Sequence, residues 1–473
     1  MRILYNTVLV RGVINMTLKQ LFAPSDMTEG TPWKKIVLFA IPMLIGNVAQ
    51  QLYNTVDSIV VGKYVGDNAL AAVGSASPIF NLLLVLFVGI SVGAGIMVSQ
   101  YYGANKREEL SKAIGTSITL TAVASIFIMT VSPFIIRPIL EVLNTPVSII
   151  DWCDSYLTIL MMGVAGMAYY NILGGILRGL GDSVSALIYL LVATVINIVL
   201  DVYFVAGLNM GVSGVALATA IAQTISSILC LFKLLRMKNL FDLGWKELIP
   251  TWEQSVNLVR LGLPSGLTQA IMSMAMIVVQ SLTNSFGEMV IAANVIIMRV
   301  DGFAMMPNFS FGNAMTTFAG QNVGAGKYDR VMEGSRQGTM IAVGVSTVIT
   351  GIILLFGNIL MYAFTDTPEL VELSMHMMRI LAVGYIAVAV TQSLSGIMRG
   401  AGDTMTPMWL SLLTTVGIRV PLAYALVYFT KSETLVNGAP ESMFISLLVS
   451  WCLGAVLNII IFRKGNWKNK ALA

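Results

Sequence analysis

One histidine and three cysteines are all that 473 residues offer to transition-metal or thiol chemistry. Cys153, Cys230 and Cys452 lie far apart and form no CxxC pair, so neither a zinc site nor a disulfide framework is expected. A lone His376 supplies no HExxH helix and no histidine-centred triad, which excludes the common hydrolase designs, and no enzyme is expected. The G-x-x-x-x-G-K-[ST] phosphate loop is missing too, so nucleotide-driven work has no visible machinery. Charge is the scarcest commodity: Asp, Glu, Lys and Arg make up 11% of the chain against 56% hydrophobic residues. No water-soluble domain of this size could cover its surface so sparingly, and the chain reads as an all-α integral membrane protein. A net charge of +4 leaves no basic field of the kind nucleic-acid binders carry.

What is present is long apolar runs. A span needs about 20 mostly apolar residues to cross about 30 Å of hydrocarbon, and its backbone must satisfy itself as helix. Twelve segments qualify: 36–62, 69–100, 113–136, 155–177, 184–206 and 212–232, then 261–286, 291–319, 337–364, 373–398, 405–429 and 442–462. They divide the chain into an arm (1–33), a first lobe (34–238), an amphipathic linker (239–256), a second lobe (257–463) and a tail (464–473). Arg2, Arg11 and Lys19 make the arm too charged for a signal peptide or a span, with Met16 and Met27 as alternative starts.

Basic residues set the orientation. With the arm cytoplasmic, the tails and even-numbered loops hold 22 Lys and Arg, whereas the opposite side holds only Lys63, Arg137 and Lys431. Both termini are therefore expected in the cytoplasm of a bacterial-type inner membrane.

The two lobes repeat one another. "GGILRGLGDS" (Gly174–Ser183) returns as "SGIMRGAGDT" (Ser395–Thr404), and "QYYGANK" (Gln100–Lys106) as "QNVGAGK" (Gln321–Lys327). Arg178 and Arg399, like Asp182 and Asp403, differ by 221 positions, and near the first helix of each half the register slips so that Pro42 meets Pro264. Six spans per half make this a parallel repeat, two bundles related by an axis along the membrane normal, as in many transporters. The repeated corner is expected to be structural, its glycines permitting the reversal while Arg178, Asp182, Arg399 and Asp403 cap helix ends and pin the turn; a share in gating the inner mouth is the alternative.

Charges inside spans are costly and usually functional. Asp57 on span one, Asn197 and Asp201 on span five, and Thr219 on span six are placed at similar depth by the rise of about 1.5 Å per residue. Adding 221 turns Asp57 into Val278, or Val279 with the register slip, and Asn197 and Asp201 into Ile418 and Leu422; the fold is doubled but the acids are not. Two carboxylates in one dehydrated pocket cannot both stay ionised alone, so they must take up a proton, a cation, or each in turn, and an all-oxygen donor set suits Na⁺ as well as H⁺. In the second half, Arg299 and Asp301 on span eight and Arg419 on span eleven either pair with one another or line a substrate path. Met305 and its many neighbouring methionines offer either ordinary packing or a wall that adapts to apolar shapes.

The order of "PWKKIVLFAIPMLIGNVAQQLYNTVDSIVVG", "GQNVGAGK", "RGxGD" in both halves and "INIVLD…GVSGVALAT" resembles the multidrug and toxic compound extrusion (MATE) family, across nearly the whole chain after Pro32. The resemblance implies a MATE/MOP-type fold of two six-helix lobes. It also implies a monomeric secondary antiporter that exchanges H⁺ or Na⁺ for organic, often cationic and amphipathic, compounds by alternating access, with no cofactor. In its DinF-like branch the cation site would fall on Asp57, Asn197, Asp201 and Thr219, and helix one would bend about Pro42. The acidic residue that the NorM-like branch carries in helix seven has no counterpart here. The alternative of a lipid-linked saccharide flippase would require a strongly basic central cavity, which Arg299 and Arg419 alone do not supply.

Overall fold

A computed structural model describes residues 25–143, 145–432 and 435–472. The first 24 residues of the expected arm lie outside the described residues. In chain order the first half contains α1 (Pro32–Tyr64), α2 (Asp67–Gly103), α3 (Arg107–Val142), α4 (Val147–Met162), α5 (Val164–Gly179), α6 (Ser183–Asp201) and α7 (Gly211–Leu235). The second half contains α8 (Trp252–Asn284), α9 (Glu288–Gly324), α10 (Tyr328–Tyr362), α11 (Pro368–Ala382), α12 (Gly384–Gly400), α13 (Met405–Leu412), α14 (Val420–Phe429) and α15 (Glu441–Lys464). Ten continuous spans and two bent ones, the pairs α4/α5 and α11/α12, give the twelve crossings expected among the described residues.

The bends of 51° and 42° were not visible as proline kinks in the sequence. They fall at Gly163 and at Val383–Gly384, so the first glycine and its equivalent 221 residues on break the same span in each half. A Cβ on Gly163 would run into Ala220, and one on Gly384 into Trp451, so close packing against a neighbouring helix accompanies each break. Conversely, α1 passes through Pro42 as one uninterrupted helix.

Turn chemistry repeats with the same period. Gly66 and Gly287, Asn105 and Gly326, and Gly181 and Gly402 all take positive φ, where a side chain other than Gly or Asn is strained. The π turns do not repeat: one follows Asp201 (Val202–Gly207), while the other (Leu413–Arg419) ends on Arg419 and lies elsewhere along its span.

Two glycine pairs let the halves touch backbone to backbone. Gly89 and Gly93 on α2 meet Gly262 and Gly266 on α8, and a Cβ on Gly93 would come 2.7 Å from the Gly262 nitrogen. Such small-xxx-small stripes suit close helix contact in a bilayer.

The 37-residue α2 and α9 are about 55 Å long, well beyond the hydrocarbon thickness. Their projecting ends form a doubled clasp. Gln100 of α2 donates from Nε2 to the Gly400 carbonyl (2.8 Å) and accepts from the Leu472 backbone N–H (2.7 Å). Gln321 of α9 donates to the Gly179 carbonyl (3.0 Å) and accepts from the Met27 N–H (2.9 Å). A Cβ on Gly103 would collide with the Gln321 carbonyl, and one on Gly324 with that of Gln100. The described tails lie at this end, Ser25 against Gly181 and Lys470 against Gly402. Arg330 further ties the first tail by donating to the carbonyls of Met27, Glu29 and Gly30.

The amphipathic connection expected over 239–256 has little regular structure of its own. It runs as turns until Trp252, where α8 already begins. Arg107 holds it, pairing with Asp242 at 2.8 Å and donating to the carbonyls of Asn239 and Lys238. That hydrogen-bonded guanidinium keeps the Asp242 carboxyl below the usual carboxylate range.

Candidate cation and substrate sites

In the first half, helix period puts Tyr53 and Asp57 on one face of α1, and Asn197 and Asp201 on one face of α6. Thr219 approaches from α7, and all five side chains are buried. With its amide turned so that nitrogen meets the acids, Asn197 donates to Asp57 Oδ1 at 2.9 Å and to Asp201 Oδ2 at 3.2 Å. The amide oxygen then faces the Thr219 hydroxyl at 3.4 Å, and Thr219 accepts from the Tyr53 hydroxyl at 2.9 Å. One nitrogen therefore bridges both carboxylates, and one chain of hydrogen bonds joins three helices.

Asp201 Oδ1 has no hydrogen-bond partner among the described residues, and neither acid forms an ion pair there. A buried carboxylate oxygen without a donor is expensive unless a proton or cation meets it. The π turn that starts directly after Asp201 takes the backbone out of regular α pairing at this point, a placement common at functional sites. The structure thus brings together the four residues singled out in the sequence and adds Tyr53. Its signal was available: it precedes Asp57 by four residues, one helical turn.

In the second half, Asp301, Met305 and Arg419 line a cavity of about 460 Å³, walled also by Met272, Met276 and Trp451. Asp301 Oδ1 and Arg419 Nε lack hydrogen-bond partners among the described residues. Arg299 faces a different hollow, beside Gln51 and Phe303. No direct ion pair joins Arg299, Asp301 and Arg419 among the described residues: Arg299 faces another hollow, while Asp301 and Arg419 share one cavity and lie near enough to attract one another.

The repeated corners divide their labour differently from expectation. Asp182 caps α6 by accepting from Ser185 N (2.9 Å) and Ser185 Oγ (2.7 Å), and pairs with Lys233 at 3.3 Å. Asp403 accepts from Thr406 N at 3.2 Å. The side chains of Arg178 and Arg399, however, pin neither turn. Among the described residues their guanidinium groups make no hydrogen bond or ion pair; only their backbone carbonyls accept, from Gly181 and Gly402, and the Arg178 side chain lines a cavity between the halves. The aspartates alone serve the corner because a helix start presents free N–H groups, which only an acceptor can satisfy. Among the described residues no three His, Cys, Asp or Glu side chains gather as a metal cluster.

A family model described as MatE matches the chain twice, at residues 42–203 and 264–425, once in each half. The "Probable multidrug resistance protein YoeA" of Bacillus subtilis (strain 168) is 31% identical over 428 residues, covering 88% of this chain and 92% of its own. The "Probable multidrug resistance protein NorM" of Thermotoga maritima is 24% identical over 93% of this chain and 94% of its own. Among solved structures, one described as "MATE in the straight conformation" superposes with a TM-score of 0.87 at 25% identity, covering 94% of this chain and 98% of its own. Another, the "outward-facing conformation of a multidrug resistance MATE family transporter of the MOP superfamily", matches equally well. The chain belongs to the MatE family of multidrug and toxic compound extrusion proteins, which are membrane transporters and not enzymes.

Proposed function

We propose that this protein is a secondary antiporter that exchanges external H⁺ or Na⁺ for internal organic compounds by alternating access. The observation that carries the reading is the buried Asp57–Asn197–Asp201 cluster with one orphaned carboxylate oxygen and no acidic twin in the second half. Asp57, Asp201, Thr219 and the Asn197 amide oxygen offer only hard oxygen donors, which suits either coupling ion. Occupancy removes the cost of the lone oxygen and changes what α6 offers to Asp57, so the packing of α1 differs between loaded and empty states. An inward-moving monovalent cation yields about 2.3 kcal/mol per 100 mV, equivalent to roughly fifty-fold accumulation of an exported neutral compound.

Both tails are assigned to the cytoplasm, the segments 34–238 and 257–463 to two moving lobes, the site to the DinF-like branch, and the functional unit to a monomer. Every cross-half side-chain hydrogen bond among the described residues lies between the tails and the Asn47–Ser310 contact (3.0 Å), which supports a cleft opening at the other end. Solved relatives described as straight and bent support more than one working conformation. The relatives' names support drugs as substrates, with the methionine-walled cavity around Asp301 and Arg419 as their path, and nothing in them favours the saccharide flippase.

In energised vesicles, Asp57→Asn should lower dye efflux by about 100-fold or more while yield and melting temperature stay near wild type. Undiminished efflux by that variant would remove the coupling role. Varying Na⁺ and pH independently at fixed potential then identifies the ion.

A further inference from the structure

Between the clasp and the Asn47–Ser310 bond lies a cavity of about 310 Å³ with a wall from each half. Its one charged lining residue is Arg178, and no Asp or Glu faces it. Gly174, one turn before, leaves the guanidinium room to lie along the helix: a Cβ there would stand 3.3 Å from Nη1. Gln50 on α1 and Asn313 and Thr317 on α9 also line the space, and their side chains make no hydrogen bond among the described residues. An always-charged planar donor and three neutral polar groups thus converge on one volume without a counter-charge for the guanidinium.

We propose that this cavity is an anion-binding site, separate from the acidic cluster, that takes a carboxylate or phosphate group. A half-buried guanidinium without a counter-charge is costly, and an oxyanion offers it two parallel charge-assisted hydrogen bonds while the amides and the hydroxyl complete the shell. The volume sits at the small end of ligand pockets, which limits the occupant to a compact aromatic acid or to the headgroup of a larger molecule. The site does not depend on the coupling assignment, because none of its residues belongs to the Asp57 cluster. Arg399, the repeat partner, lines none of the three cavities described above, so it provides an internal control.

The test is a melting-temperature titration of the purified full-length protein in a neutral detergent, at constant ionic strength in chloride. The probes are benzoate, phenyl phosphate, lysophosphatidylglycerol and, as the uncharged-headgroup comparison, lysophosphatidylcholine. A saturable rise with benzoate or phenyl phosphate assigns the site to soluble anions. A saturable rise with lysophosphatidylglycerol alone, and not with the choline lipid, assigns it to a lipid headgroup. In either case Arg178→Gln should weaken the apparent affinity at least tenfold, while Arg399→Gln leaves it within twofold. Should Arg178→Gln fail to fold, Asn313→Leu carries the test, with an expected loss of threefold or more. The absence of a saturable rise with every anionic probe, or wild-type affinity in Arg178→Gln or in its substitute Asn313→Leu, overturns the proposal.

Discussion

The tail end of the molecule and the interior of its first half treat the internal repeat in opposite ways. At the tail end, Gln100 and Gln321, Gly103 and Gly324, and Gly179 and Gly400 meet as equivalent partners 221 residues apart, each glutamine gripping a carbonyl of the other half and a backbone N–H of a tail. In the interior, Asp57, Asn197 and Asp201 stand opposite Val278 or Val279, Ile418 and Leu422. Closing two lobes about an axis is a symmetric task and keeps both copies of its parts. Burying acids is not, and a second acidic pocket would add desolvation cost without adding closure. Symmetry therefore survives where the halves hold each other and is lost around the buried acids.

The strongest way to break this comparison is to strike matched positions. Asp201→Asn should reduce energised dye efflux by about 100-fold or more, whereas Leu422→Asn, its counterpart, should leave it within about twofold. Equal losses from both would mean that the second half shares the ion chemistry.

At the clasp the expectation reverses: Gly103→Val and Gly324→Val should do similar harm. Each inserts a side chain into a backbone carbonyl of the other half, at a cost of about 3 kcal/mol or more. The readout is a matched fall in melting temperature and a matched rise in amide hydrogen exchange at residues 320–324 and 99–103. A loss confined to one variant would show that the two clasps are not equivalent.

Gln100→Ala and Gln321→Ala sharpen the same point with a smaller effect. Each variant removes two hydrogen bonds, worth about 1–3 kcal/mol together. Exchange should rise at Leu472 for the first and at Met27 for the second, so the pair separates the tails while the glycine contacts stay intact.

The crossings were legible because hydropathy alone marks a membrane span, and the acidic cluster because depth follows from counting residues along straight helices. The bends at Gly163 and Val383–Gly384 were not, since a glycine in an apolar run reads the same whether it packs a neighbour or breaks the helix. Tyr53 was passed over because tyrosine in a span also serves as an interfacial anchor, and only the partner on α7 decides between the two. Arg178 was assigned to the turn because it stands four residues from Asp182. That the acid turns to its own helix start and the base to a space between the halves is a tertiary outcome with no local mark.

Gln100 receives one of its two partners from Leu472, so its clasp stays half made until residue 472 has left the ribosome, long after residue 324. The clasp around Gln321, which needs nothing beyond Gly324 and the earlier tail, can assemble during translation. Two devices of like geometry are therefore separated in time, and the seal at this end of the molecule closes in two stages.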